Sequence, residues 1–137
     1  MLFPTKIAIV LRDDLAPWQR ANATAFLASG IAAAEPGVVG EPYGDASGNR
    51  YLPMFREPVL VFEGDAAAVR RAYERALRRD VSQLAVFTAE LFSTGHDEAN
   101  RAAVAAVASE ELDLVALALR ADRKVVDKVV DRLGRHP

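Results

Sequence analysis

Four short apolar runs, each separated from the next by a longer stretch, constrain the fold more than any other feature. The runs lie at residues 7–11, 59–62, 84–87 and 112–119, and only the last contains a charged residue, Asp113. A strand covered on both faces has this continuously apolar character, because neither face meets water. Apolar strands that alternate with amphipathic helices predict an α/β domain with helices on both faces of one sheet. We expect residues 1–137 to form this single domain, since the length suits one domain.

The stretches between and after these runs predict four helices, at residues 15–34, 66–79, 94–109 and 121–133. Asp14, Asp65 and Thr94 are the expected N-caps, because a side-chain oxygen there accepts a hydrogen bond from the first turn. Pro17 is expected in the first turn of the first helix. Asp97 is expected to complete a capping box with Thr94.

Residues 35–58 differ from the rest of the chain, since they contain four glycines and four prolines. We predict a loose hairpin insertion here, with its two extended sides at residues 38–43 and 51–55. An irregular loop is the alternative interpretation of the same composition.

The first predicted helix has too little polar surface for an isolated domain. No charged residue occurs between Arg20 and Glu35, a stretch of about four helical turns. Phe26 and Leu27 point to different sectors, so one apolar sector can cover the sheet while another needs a different cover. Either the helix is central in the domain and other elements cover this second sector, or the sector packs against a second subunit in a homodimer. We favour the homodimer, because symmetric pairs are the commonest assembly.

Composition argues against several classes of function. The 17 basic and 19 acidic residues nearly balance, which gives no general attraction to nucleic acid. The absence of cysteine removes disulfides, thiolate metal sites and cysteine nucleophiles, and it is typical of a reducing compartment. Residues 1–6 lack signal-peptide features, and the uncharged stretch 21–34 is too short to span a membrane. We therefore expect a cytoplasmic protein with neither a membrane nor a nucleic-acid partner.

Four motifs occur in order along the chain: WQRANATAFLASG at residues 18–30, GEPY at 40–43, YLPM at 51–54 and ELFSTGHDEANR at 90–101. Together they resemble the domain-of-unknown-function 2000 family over nearly the whole chain. The resemblance implies a fold similar to that of type II peptidyl-tRNA hydrolases, which is a mixed four-stranded sheet between helices and is often dimeric. The family has no established activity.

The catalytic pattern of those hydrolases is matched only at its beginning. RDDL at residues 12–15 agrees with the Arg-x-Asp-Leu that follows their first strand. Their Gly-Lys pair at the helix start corresponds here to WQRA at residues 18–21, which has no lysine. TAELF at residues 88–92 does not match their Asp-Ala-Gly-x-Thr. The resemblance therefore implies the fold without peptidyl-tRNA hydrolase activity.

Asn22 is the most informative polar residue of the first helix, because it shares a stripe with Trp18 and Phe26 at a spacing of four. An amide between two aromatic rings either ties a neighbouring loop or belongs to the wall of a ligand pocket. Trp18 likewise is either a core or interface residue or a ligand contact. Trp18 and Asn22 are therefore candidate ligand-binding residues.

A second polar cluster, at residues 90–101, follows the third strand and opens a helix. Open α/β sheets bind ligands at the carboxyl ends of their strands, and the N–H groups of a helix start can hold an anion. The candidate ligand contacts here are Thr94, Asn100 and Arg101. Glu90 and His96 are weak candidates for a catalytic base. The alternative is that the cluster only caps the helix, with Asp97 paired to Arg101.

We expect neither a metal nor a cofactor. One histidine beside carboxylates lacks the spacing of a metal site, and the second histidine, His136, lies in the tail.

Two candidate functions of different classes are consistent with the sequence. The first is a dimeric module that binds a small ligand or a partner, and the second is a small hydrolase or transferase acting on an anionic substrate near Glu90 and His96. We favour the first, because no matched nucleophile and base can be named.

Overall fold

The computed structural model of the chain describes residues 3–135. The elements in chain order are β1 (Thr5–Arg12), α1 (Pro17–Ala34), β2 (Tyr43–Gly44), β3 (Arg50–Tyr51), β4 (Val59–Gly64), α2 (Ala66–Arg78), β5 (Gln83–Thr88), α3 (Asp97–Ala105), β6 (Leu114–Asp122), α4 (Arg123–Val129) and β7 (Gly134–Arg135). Across residues 3–135, no helix is both long enough and apolar enough to cross a membrane. Met1, Leu2 and His136, which entered the predictions about a signal peptide and a metal site, lie outside the described residues.

The four predicted apolar runs form the four long strands of one mixed sheet. Their order is β5-β6-β1-β4, and the two-residue β7 adds to the outer edge of β4. β1 runs parallel to β4, with Ile9 opposite Val61, and antiparallel to β6, with Ile9 opposite Ala118. The prediction of an α/β domain with a mixed four-stranded sheet is confirmed.

Helices cover both faces of this sheet, and two cores result. On one face α1 buries Ala23, Leu27 and Ile31 against the Ile7 and Ile9 side chains of β1. On the other face α2 and α4 pack against Ala8 and Val10, which alternate with the first set along the same strand. β1 is therefore buried on both sides, as its continuous apolar sequence predicts.

The start of α1 differs from the prediction, because Asp14 is not its N-cap. The helix begins at Pro17, which lacks an N–H group and suits the first helical position, and Ala16 precedes it as the N-cap. The Ala16 N–H donates to Gln19 Oε1 at 2.9 Å. Asp14 instead accepts a hydrogen bond from Arg12 Nε at 2.6 Å.

The third helix also begins later than predicted, and Thr94 is not its N-cap. His96 is the N-cap of α3, and its Nδ1 accepts a hydrogen bond from the Ala99 N–H at 3.2 Å. The imidazole thus takes the place expected for the Thr94 hydroxyl, and α3 ends at Ala105 rather than near Ser109.

The last helix is shorter than predicted, because β6 extends further. β6 pairs with β1 as far as the Thr5–Asp122 position, so residues 121 and 122 belong to the strand and α4 begins at Arg123. Gly134 then joins the sheet opposite Glu63. Long-range pairing therefore overrides the local helical periodicity at the start of this segment.

Residues 40–56 form a narrow projection that we call the arm. Its two sides meet where the Gly40 N–H donates to the Met54 carbonyl oxygen at 3.0 Å and where Tyr43 pairs with Tyr51. At the tip, Asp45 accepts hydrogen bonds from Ser47 N, Asn49 N, Asn49 Nδ2 and Tyr51 Oη, at 2.6–3.0 Å. The arm is thus held by its own hydrogen bonds.

A buried ion pair joins the base of the arm to the sheet. Glu57 is buried, and its carboxylate accepts hydrogen bonds from Thr5 Oγ1 at 2.9 Å and Arg120 Nε at 3.0 Å. Arg120 also donates to Thr5 Oγ1 at 3.1 Å. A charge this well buried is tolerated only with a partner, so the two side chains fix the place where the arm leaves the sheet.

We expect Glu57→Gln to destabilise the protein, because it leaves Arg120 largely buried without its main counter-charge. The free energy of unfolding, measured by urea denaturation, should fall by about 3 kcal/mol. The control is Asp127→Asn, which breaks the more exposed Lys6–Asp127 pair at 2.6 Å. That change should cost less than about 1 kcal/mol, and equal losses for the two variants would contradict the role given to Glu57.

We expect the Asp45 carboxyl group to titrate at unusually low pH. Hydrogen bonds from Tyr51 and then from Asn49 lower the pKa of Asp45 from 3.8 to about 2. Since the folded value lies below the unfolded one, these bonds stabilise the arm above the unfolded pKa and the effect is lost as pH falls through about 2. NMR of the carboxyl carbon should give that midpoint. Tyr51→Phe should raise it, whereas Tyr43→Phe on the facing side of the arm should not.

Candidate functional site

A cleft of about 310 Å³ lies between α1 and the segment that joins β5 to α3. Its lining residues come from the α1 stripe and from the start of α3: Trp18, Asn22, Phe26, Leu91, Phe92, Thr94, Gly95, His96, Asp97 and Asn100. The two polar clusters that the sequence singled out therefore face each other across one concave surface.

Aromatic rings form one wall of the cleft. The rings of Trp18 and Phe92 meet edge to face with centroids 5.4 Å apart, and Phe92 lies 4.9 Å from the buried ring of Phe87. Phe26 lies 6.1 Å from the same Phe87 ring. These offset and tilted arrangements are the favourable ones for aromatic pairs. Trp18 is 59% exposed and Phe26 is 55% exposed, so the outer part of the wall is open to a ligand.

Polar groups form the opposite side. The Thr94 hydroxyl lies within hydrogen-bond distance of the Leu91 carbonyl oxygen, at 3.2 Å, and of Asn100 Oδ1. Because His96 Nδ1 accepts the Ala99 N–H, a neutral ring carries its proton on Nε2, which is left as a donor. No hydrogen bond within residues 3–135 engages the Asn22 amide.

Two of the predicted site residues do not line the cleft. Glu90 is exposed, and its carbonyl oxygen accepts a hydrogen bond from Ser93 Oγ at 3.0 Å. Arg101 forms an ion pair with Asp97 one helical turn before it, which is the alternative that the sequence left open. Asp97 itself lines the cleft, so the charge on this side is a carboxylate already paired with Arg101.

Metal binding finds no support in the geometry of the described residues. Within residues 3–135, no three or more His, Cys, Asp or Glu side chains lie close enough together to hold a metal ion. The chemistry that the cleft offers is therefore stacking against aromatic rings and hydrogen bonding to amide, hydroxyl and imidazole groups.

The carboxyl ends of β1 and β4, beside the start of α1, are occupied by ion pairs. Arg20 donates to Glu63 Oε2 at 2.7 Å and to the Asp13 carbonyl oxygen at 2.7 Å. Arg12 bridges Asp14 and Asp113, at 2.6 and 3.0 Å. Partial burial lowers the pKa of Arg12, but the hydrogen bonds to the two carboxylates outweigh it and the net shift is upward.

Sequence reasoning missed the aromatic half of the cleft that follows β5. Leu91 and Phe92 lie in a short 3-10 turn at Ala89–Phe92, where neither helical nor strand periodicity marks the buried side. The usable signal was the pair of aromatic residues, Phe87 and Phe92, on either side of the strand end.

Comparison with known proteins gives a family without an assigned function. A family model described as protein of unknown function, DUF2000, matches residues 5–137. The chain is also similar to a solved structure of a protein of unknown function from Agrobacterium tumefaciens, with 45% sequence identity and a TM-score of 0.96. That match covers 99% of this chain and 100% of the other. No curated protein matches the chain.

Proposed function

The chain belongs to the DUF2000 family of proteins of unknown function, and we propose that it is a dimeric module that binds a small ligand in the cleft between α1 and residues 91–100. One observation carries the proposal. Partly open aromatic rings, the Asn22 amide and the His96 ring all line the same concave surface. Small-molecule sites combine these features, an apolar wall and a few convergent polar groups.

The groups that line the cleft favour a neutral, planar ligand. Trp18, Phe92 and Phe26 offer ring surfaces for stacking, and Asn22 offers both a donor and an acceptor. The sequence alone suggested an anionic ligand held by Arg101 or by the N-terminus of the third helix. Since Arg101 pairs with Asp97 and only Asp97 lines the cleft, an anion would meet a carboxylate first. We therefore propose a heteroaromatic ring with an amide-like edge.

The proposed dimer uses the outer surface of α1. Helix positions that turn away from the sheet are uncharged between Arg20 and Glu35, and Phe26 is half exposed there. Burying this surface against a second copy removes apolar area from water. We keep the cytoplasmic location predicted from the sequence as part of the same proposal.

We also propose that the fold is related to that of type II peptidyl-tRNA hydrolases, with the arm as an insertion, and that the hydrolase activity is absent. RDDL at residues 12–15 spans the end of β1, where the resemblance expects it. In the region of the expected lysine, Arg20 is engaged with Glu63 and with two backbone carbonyl oxygens. A side chain held in this way cannot take the lysine's place on a substrate.

The enzymatic alternative, a small hydrolase or transferase acting on an anionic substrate, has less support. Glu90, one of its two candidate bases, does not line the cleft. The Ser93 hydroxyl donates to the Glu90 carbonyl oxygen, so it is not paired with His96 as an activated nucleophile would be.

Ligand binding can be tested through Trp18, which is the only tryptophan of the chain and lines the cleft. Nicotinamide and nicotinate, which carries a carboxylate in place of the amide, are a matched neutral and charged pair of probes. We expect nicotinamide to quench Trp18 fluorescence saturably and nicotinate to bind less well. Asn22→Ala should weaken nicotinamide binding about fivefold, since one hydrogen bond is worth about 1 kcal/mol. Ser82→Ala, on an exposed residue outside the cleft, is the control, and tighter binding of nicotinate would contradict the proposed ligand class.

Hydrolase activity can be tested with peptidyl-tRNA. We expect no cleavage above the buffer control at protein concentrations where a type II hydrolase completes the reaction, because the lysine is absent and Arg20 is held by Glu63. Turnover that disappears in Glu90→Gln or His96→Ala would instead support the enzymatic alternative.

A further inference from the structure

We infer that the arm is a docking element for a second copy of this chain, and that its exposed apolar side chains cover the outer surface of α1 in that copy. The inference rests on the dimer proposed above and adds which two surfaces meet. The docking contact does not depend on a ligand in the cleft, although Phe26 belongs both to the cleft wall and to the α1 surface.

The arm is built as a stiff element before any partner arrives. Four hydrogen bonds to Asp45 close its tip, and the buried Glu57–Arg120 pair fixes its base. Gly48, with φ of +86°, provides the left-handed residue that this tip requires. A segment ordered in advance loses little conformational entropy on binding, so its contacts contribute more fully to affinity.

The surface of this stiff arm is unusually apolar. Leu52 is 84% exposed, Met54 59%, Tyr51 54% and Tyr43 50%. No charge interrupts residues 51–55. A lone exposed apolar side chain needs no explanation, but four large ones on one short arm favour an interaction site.

The matching surface lies on α1 of the same chain. Ala25, Ser29 and Ala33 are exposed there beside Phe26, and the helix carries no charge from residue 21 to residue 34. Small residues leave a shallow surface into which the large side chains of the arm can pack. Both surfaces are therefore apolar, and the protruding side chains of the arm are complementary in shape to the shallow surface of α1.

Both surfaces belong to the same side of the sheet. Val38, Val39 and Phe55, at the base of the arm, pack in the same core as Leu27 and Ile31 of α1. A two-fold axis on this side can therefore place each arm over the α1 helix of the other copy. The self-complementary pattern favours a second copy over an unrelated protein, because one contact then covers both exposed surfaces at once.

The available area is sufficient for such a contact. Five large side chains, Phe26, Tyr43, Tyr51, Leu52 and Met54, are about half exposed or more. At roughly 100 Å² each they contribute about 1,000 Å² in two copies, close to the ~1,200 Å² lower limit of stable interfaces. The small residues of α1 supply the remaining area.

The first test is the mass of the full chain in solution. Light scattering over a concentration series should give a dimer, twice the 14.8 kDa of one chain. Leu52→Glu should raise the dimer dissociation constant at least about thirtyfold, as for a central interface residue. Leu77→Glu places the same charge on an exposed leucine of α2, on the opposite face of the sheet, and should leave the dimer intact.

The second test uses the absence of cysteine from the chain. A Leu52→Cys chain is mixed with a chain carrying Ala25→Cys, Ser29→Cys or Ala33→Cys and is oxidised mildly. A disulfide-linked heterodimer is expected for at least one of the three, and none is expected for Leu77→Cys. Circular dichroism and thermal melting of each variant confirm that the fold is unchanged.

The outcomes separate this inference from the proposed dimer. A wild-type monomer at all concentrations overturns both. A dimer that Ala33→Glu dissociates but Leu52→Glu does not, with no cross-link from position 52, supports the α1 contact and overturns the role of the arm.

Discussion

Burial of β1 on both faces is the constraint on which the rest of the structure depends. The residues of this strand alternate between two cores, with Ile7 and Ile9 on one side and Ala8 and Val10 on the other, all without solvent exposure. Each face needs a helical cover, and α1 alone provides most of it on one side. One apolar sector of α1, with Ala23, Leu27 and Ile31, is enough for this task, so the apolar residues on its other sides need a different role, at the cleft and on the outer surface.

The elements that the sequence predicted well are those whose signal is local. The strand runs and α2 follow from apolar periodicity and from the Asp65 cap, whose carboxylate accepts the Ala68 N–H at 2.8 Å. The boundaries that were wrong depend on distant partners. β6 extends to Asp122 because β1 pairs with it there, and no local pattern contains that information. His96 acts as the α3 cap although histidine is not among the preferred capping residues.

The candidate site shows the same division. A spacing of four brought Trp18, Asn22 and Phe26 onto one stripe, and the structure places all three on the wall of one cleft. Phe92 joins them because the segment after β5 packs against Trp18 of α1, and local sequence cannot predict this tertiary contact. The Glu57–Arg120 pair was invisible in the sequence for a related reason, since 63 residues separate its members. Local sequence does not predict that a charged side chain is buried when its partner lies far along the chain.

The position of Arg120 has a consequence for synthesis of the chain on the ribosome. β6 lies between β5 and β1 in the sheet, yet it is the last long strand to be made. Until β6 emerges from the ribosome, β5 and β1 have no strand between them. Glu57 also lacks the Arg120 counter-ion that fixes the base of the arm. Until then the nascent chain carries an unfinished arm and a poorly supported α1. Folding of the sheet and the completion of both outer surfaces therefore coincide with the emergence of β6.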